Sequence, residues 1–171
     1  AMPPKMSISN FIQIFKRPNW ALRTLFNGQP EFETLKPYMP KGLDIAQLGK
    51  FMDQTFSGRL NAEKIKPIRD RWKGKIVLKG VANEADAAEA IRLGLDGLIV
   101  SNHGGRQLDA GEASIHPLTR IAKKYGDQIV VMQDSGLRSG PDIARSIASG
   151  AKFTWMGRSF MYGTAALGAK G

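Results

Sequence analysis

The 171-residue chain is about one domain long, and its 42% apolar content is enough to build a core. No apolar run reaches the ~18 residues that a membrane helix needs, Ala1-Met2-Pro3-Pro4-Lys5 lacks a signal peptide's apolar middle, and there is no cysteine. A soluble, globular, cytoplasmic protein is therefore expected, without disulfides or thiolate chemistry. The formal charge of +10 is uneven: residues 1–80 hold 15 Lys and Arg against 6 Asp and Glu, whereas residues 81–171 hold 10 against 9. No recognition-helix, RRM-like or zinc-finger pattern accompanies the basic excess, so nucleic acid is not the expected partner. His103 and His116 stand apart without clustered ligands, and no metal is expected.

Residues 1–74 are broken by Pro3, Pro4, Pro18, Pro30, Pro37 and Pro40. Helices are predicted over Ile8–Phe15 and Trp20–Phe26, then an irregular stretch to Gly42, a short helix over Leu43–Phe51 and another from Asn61 to Trp72. Lys16, Arg17 and Arg23 are interleaved with Phe11, Ile12, Phe15, Trp20, Leu22, Leu25 and Phe26. That mixture suits an amphipathic segment on an anionic membrane surface, and equally a surface helix that packs its aromatics inward. No strand is predicted here; the region reads as a long insertion plus one helix leading into the first strand.

From residue 75 onward, short apolar runs alternate with helical patterns. Lys75–Lys79 reads as a strand, followed by a helix capped by Asn83, with Asp86 three residues on and a stop at Gly94. Leu98-Ile99-Val100 leads to Ser101, and a helix is predicted from about Pro117 to Tyr125. Gln128–Met132 is the third strand; its helix has Pro141 in the first turn and Gly150 at the stop. Lys152–Met156 is the fourth strand, and Gly157-Arg158 opens a helix to about Leu167. Continuous apolar strands joined by helical crossovers predict a parallel sheet covered on both faces.

The chemistry gathers where the strands stop. In Ser101-Asn102-His103-Gly104-Gly105-Arg106-Gln107-Leu108-Asp109 the glycines allow a sharp turn, so that His103 and Arg106 converge on one ligand. A base beside a fixed cation suits an acid substrate: Arg106 would clamp the carboxylate and His103 take a proton. The alternative is a polar strand end whose His and Arg cap backbone carbonyls. The loops Ser135-Gly136-Leu137-Arg138 and Gly157-Arg158-Ser159 offer amide donors and two guanidiniums, a cradle for phosphate. Polar residues at every strand's C-terminal end suit a (β/α)8 barrel, and no Gly-rich fingerprint follows Leu78 as a doubly wound sheet would require. Phosphate binding after the last two barrel strands makes these units strands five to eight.

Four motifs in order, Val77-Leu78-Lys79-Gly80, Ser101 to Asp109, Asp134 to Gly140, and Gly157-Arg158-Ser159-Phe160 with Tyr162 and Ala165-Ala166, give the chain its resemblance to a known family. It resembles the C-terminal half of the FMN-dependent α-hydroxy acid dehydrogenases and oxidases, nearest to the membrane-associated L-lactate dehydrogenase branch. The resemblance implies that Lys79 stabilises the anionic reduced flavin and that Ser101 touches it. It implies His103 as base, Arg106 as substrate clamp and Gly104 as part of the wall. Asp134 would bond the ribityl chain, with Gly136, Arg138, Gly157 and Arg158 holding the phosphate. The stretch from Arg17 to Leu43 resembles the long fourth loop of respiratory L-lactate dehydrogenases. Two departures stand out: Ser135, where many relatives have glycine, and Phe56–Glu63, where the helix packing is expected to differ.

The implied reaction is oxidation of L-lactate, or another L-2-hydroxy acid, to the 2-keto acid by carbanion or hydride routes. Electrons would pass to a respiratory quinone, or to O2 in an oxidase, and the protein would sit in the cytoplasm or peripherally on the inner membrane. A full barrel takes about 250 residues, so residues 75–171 are expected to be a (β/α)4 half and residues 1–74 the loop-four region before it. The missing N-terminal half would be a required partner. Without it the chain would be a non-catalytic half-barrel whose exposed apolar layer favours self-association into a homo-oligomer.

Overall fold

The computed structural model describes residues 7–28, 34, 36–40, 47, 49, 51, 54 and 60–168. The chain divides into two compact units, Ala1–Arg59 and Leu60–Gly171.

In the first unit, α1 (Ile8–Phe15) starts where the Ser7 hydroxyl accepts the Asn10 N–H, and α2 (Pro18–Asn27) carries Pro18 at its first turn. The two helices contact each other, yet neither buries a residue. Phe15, Leu25 and Phe26 are 82%, 76% and 83% exposed, so the aromatics are not packed inward within this hairpin. A 3-10 turn at Lys36–Tyr38 interrupts the stretch expected to be irregular. Of the helix expected over 43–51, Gln47, Gly49 and Phe51 are helical, as is Gln54; the intervening residues lie outside the described ones, as do residues 56–59 of the unusual 56–63 run.

In the second unit, α3 (Ala62–Arg71) is capped by Asn61, whose side chain accepts the Lys64 N–H. Four parallel strands follow: β1 (Val77–Val81), β2 (Gly97–Val100), β3 (Val130–Gln133) and β4 (Phe153–Thr154). They pair in sequence order β1-β2-β3-β4, with Leu78 opposite Leu98 and Leu98 opposite Val131. Between them run α4 (Glu84–Arg92), α5 (Ile115–Tyr125) and α6 (Gly140–Ala148), and α7 (Arg158–Leu167) closes the series. An unreversed order is the pattern of a barrel wall rather than of a doubly wound sheet.

Strand alternation divides the sheet into two unlike faces. Val81, Leu98, Val100 and Val131 form one core with Ala87, Ala90, Leu118, Ile121 and Ala151 from the helical segments and loops. The opposite face carries Val77, Lys79, Val130 and Phe153, and Phe153 meets Trp155 edge-on at 5.1 Å between ring centroids. Val77, Val130, Phe153 and Trp155 are all exposed. The expectation of a sheet covered on both faces is thus corrected: among the described residues the apolar layer continues onto a face that no helix covers.

Strand boundaries also shift, for local reasons. β1 begins two residues late because Lys75 and Ile76 turn to Asp96: Lys75 Nζ donates to Oδ1 at 2.7 Å and the Ile76 N–H to Oδ2 at 2.9 Å. It extends past Lys79 because Gly80, at φ 96, forms a bulge that returns Val81 to register with Val100. β3 begins late because the Gln128 and Ile129 N–H groups bond back to the Tyr125 carbonyl. β4 is only two residues long as a ladder, although the Lys152 and Trp155 N–H groups also reach β3 at 2.8 Å.

Asp96 anchors the end of the sheet where the strands begin. Besides Lys75 and Ile76 it receives Arg69 of α3 at 3.0 Å, and Arg69 also donates to the Gly74 carbonyl at 2.8 Å. Donation from Lys75, then from the Ile76 amide and Arg69, holds the Asp96 carboxyl at about 2 despite partial burial. A depressed folded-state value stabilises the fold above the ordinary carboxyl range, and that contribution disappears as pH falls toward 2. Urea midpoints should therefore fall from pH 4 to pH 2 in the native sequence, and Asp96→Asn should flatten this dependence while lowering the midpoint at pH 7. Leu98→Ala removes a fully buried side chain between sheet and helices. Denaturant titration should show a loss of about 2–5 kcal/mol.

Candidate functional site

All four strands point the same way, so the loops leaving β1 to β4 share one edge. Lys79 projects from the middle of β1 on the open face. Its ammonium pairs with the Asp134 carboxylate and donates to Ser101 Oγ at 3.2 Å. Burial pushes the Asp134 carboxyl up, but hydrogen bonds from Lys79, Ser101 and Ser135 outweigh it and hold the group below the usual carboxylate range. Asp134 is thus a fixed anion that keeps Lys79 at the rim.

The loop after β2 is a short turn over His103–Gly105 in which His103 itself lies at φ 56 and Gly104 at φ 66. Few residues with a Cβ adopt this left-handed region. The His103 N–H donates to Ser101 Oγ at 3.1 Å, which fixes the exit from the strand. Neither the His103 imidazole nor the Arg106 guanidinium has a hydrogen-bond partner among the described residues, and both are exposed. The alternative in which these side chains cap backbone carbonyls therefore does not describe this loop.

The loop after β3 is built by a capping box. Asp142 accepts the Arg138 and Ser139 N–H groups at 3.0 and 3.1 Å, which turns the chain into α6. These bonds hold the Asp142 carboxyl below its usual range. Arg138 lies over the Tyr162 ring at 5.6 Å, and Ser159 donates to the Arg138 carbonyl at 3.2 Å. The N-terminus of α7, at Arg158, therefore faces the same rim as Arg138. Helix dipole, backbone donors and two guanidiniums suit this part of the edge to an anion.

A cleft of about 310 Å3 opens among these loops and is lined by Lys79, His103, Gly104, Arg106, Asp134, Gly136, Arg138, Gly157 and Arg158. Nine of the ten residues singled out from the sequence share it, and Ser101 lies just behind, 4% exposed and bonded to Lys79. Sequence reasoning missed Leu137, Trp155, Met156 and Met161 in the lining, which carry no polar signal. It also gave no role to Ser135, which lines the cleft at φ 76. The signal available was a side chain in a position where glycine would be unstrained.

The donor set fits a flavin mononucleotide. Gly136 and Gly157 present open backbone with no heavy atom within 4 Å of where a Cβ would stand, which leaves room for a phosphate. Lys79 supplies a point charge at the sheet end, and Asp134 an acceptor for hydroxyls.

Fold and site together define a parallel α/β protein of the barrel type with an anion-binding, flavin-compatible cleft at its strand ends. The profile of the FMN-dependent dehydrogenases matches residues 1–171, and the chain belongs to that family, whose cofactor is FMN. It is 38% identical over 169 residues to an L-lactate dehydrogenase of Bartonella tribocorum, covering 98% of this chain and 44% of the relative. Among solved structures it is similar to the monotopic membrane protein (S)-mandelate dehydrogenase, with TM-score 0.88, 31% identity, and coverage of 100% of this chain and 45% of that one. A mandelate oxidase carrying an FMN adduct matches with TM-score 0.61 and 37% identity over 64% of this chain and 35% of that chain. The chain thus spans less than half the length of these relatives.

Proposed function

We propose that this chain forms strands five to eight of an FMN-binding (β/α)8 barrel that oxidises an L-2-hydroxy acid, with L-lactate to pyruvate as the favoured reaction. In this reading residues 75–171 are the C-terminal half of the barrel and residues 1–74 its fourth loop and connecting helix. The exposed layer of Val77, Val130, Phe153 and Trp155 supports this division, because it is the face on which an N-terminal half would close.

The observation that carries the reading is the unpartnered pair His103 and Arg106 in one cleft with Lys79 and the phosphate cradle. Arg106 binds the substrate carboxylate through paired N–H donors and so fixes the C2 carbon. His103 takes the proton that leaves the substrate, whether from the C2 hydroxyl or from C2 itself. FMN, when bound, supplies the two-electron acceptor. Lys79, held by Asp134, offsets negative charge that develops near the rim of the sheet. The side chains of Trp155, Met156 and Met161 add apolar surface to the cleft. A quinone is the proposed electron acceptor, in keeping with the dehydrogenase relatives, and O2 is the alternative.

We further propose that α1 and α2 lie on an anionic membrane. Exposed Phe11, Ile12, Phe15, Trp20, Leu25 and Phe26 beside Lys16, Arg17 and Arg23 support this, as does the likeness to a monotopic membrane protein.

In the full-length holoenzyme, His103→Ala should lower the rate of anaerobic flavin reduction by L-lactate by about 10^2–10^4-fold while FMN stays bound. Stopped-flow absorbance tests this, and fast reduction in the variant would remove His103 from the chemistry. The enzyme should also sediment with anionic vesicles and be released as salt rises, since exposed charges are screened over about 10 Å at 0.1 M ionic strength. Equal partitioning to neutral and anionic vesicles would return α1 and α2 to an ordinary packing role.

A further inference from the structure

The backbone of Gly104 is gripped on both sides by the loops that follow. Its N–H donates to Ser135 Oγ at 3.0 Å, and its carbonyl accepts from Arg158 Nη2 at 2.9 Å. One grip comes from the loop after β3 and the other from the first residue of α7. The fit is close: a methyl group on Gly104 would run into the Arg158 guanidinium, and φ 66 would strain it further.

These grips act on a strained segment. His103, immediately before Gly104, sits at φ 56, a conformation that persists only where the surroundings impose it. Ser135, which imposes part of it, is itself at φ 76. Glycine would hold that backbone shape without strain, so the side chain must be accounted for by its contacts. The hydroxyl donates to Asp134 Oδ1 at 2.8 Å, accepts the Gly104 N–H, and lies 3.4 Å from Ser101 Oγ. It therefore joins the Lys79–Asp134 pair to the backbone that carries His103. Arg158 uses one nitrogen on the Gly104 carbonyl and has no other partner among the described residues, which leaves the rest of its fork for an anion.

We propose that Ser135 and Arg158 are positioning residues that couple the phosphate-binding loops to the His103 turn, so that an anion held beside Arg158 also fixes the orientation of His103. The inference rests on the reading of His103 as the base and of these loops as the phosphate cradle. An anion that restrains the Arg158 guanidinium restrains the Gly104 carbonyl, and Ser135 keeps the preceding amide from yielding. The site would then be set for proton transfer only when its phosphate is seated.

The test uses the full-length enzyme with Ser135→Gly and Ser135→Ala. Glycine accepts the native backbone angle, so Ser135→Gly removes the hydroxyl without adding strain. Both variants should keep FMN affinity within about twofold and substrate KM nearly unchanged, while kcat falls about tenfold, the scale of one lost hydrogen bond. In native apoprotein, inorganic phosphate should slow hydrogen exchange of the amides at residues 103–106, and in Ser135→Gly that slowing should be largely lost. Native kcat together with native phosphate protection in Ser135→Gly would overturn the coupling. So would a defect confined to Ser135→Ala, which would assign the effect to backbone strain. The exchange measurement needs no hydroxy acid. If no hydroxy acid reduces the flavin the proposed activity fails, yet the phosphate effect still decides the coupling.

Discussion

Parallel pairing is the constraint from which the rest follows. A strand can lie parallel to its predecessor only if the chain crosses back, and here each crossing is made by a helix whose apolar stripe needs cover. Val81, Leu98, Val100 and Val131 supply that cover on one face of the sheet. The same geometry sends every strand's C-terminal end to one edge. Lys79, Ser101, Asp134 and Trp155 reach it from four strands or their exits, although as many as 55 residues separate Lys79 from its partner Asp134. The sheet thus gathers the strand ends of the site, and the loop contacts set the positions of its side chains.

Refinement is electrostatic and steric by turns. Asp134 is paid for by Lys79 and two hydroxyls, which outweigh the cost of its burial. At the neighbouring turn the cost is conformational instead: His103 and Ser135 both hold left-handed backbone, and hydrogen bonds around Gly104 and Ser101 offset it. Strain and its compensation stand within two consecutive loops, whereas among the described residues the helical layer behind them shows no such outlier except at glycines. This is the distribution expected when packing serves stability and loops serve chemistry.

Much of this was legible because it is written in periodicity and in residue chemistry. Ile8–Phe15 falls where its apolar spacing places it, and Asn83, Pro141 and Gly150 mark helix ends as their chemistry requires. The candidate site was legible because His103, Arg106, Arg138 and Arg158 stand within two residues of glycines where apolar runs stop. The strand limits were less so, since they depend on hydrogen bonds that apolar patterning does not show: Asp96, about 20 residues on, takes Lys75 and Ile76 away from β1, and the nearby Tyr125 carbonyl takes Gln128 and Ile129 away from β3. The uncovered face escaped the strand-by-strand reading because an apolar residue such as Val130 looks the same whether its neighbour is a helix or another part of a barrel. Ser135 was visible as a departure, but its work lies in three contacts that only the folded loops create.

The Asp96 cluster lies at the edge of the sheet opposite the cleft. Arg69, Lys75 and Asp96 share no hydrogen bond with His103, Lys79 or the loops after β3 and β4. Changes at the two edges should then be close to additive, because they share no partner. Such a molecule can be tuned along two nearly independent axes. A lineage adapting to heat could strengthen the closed edge, and one exploring new ligands could vary the open edge, with little interference between the two histories.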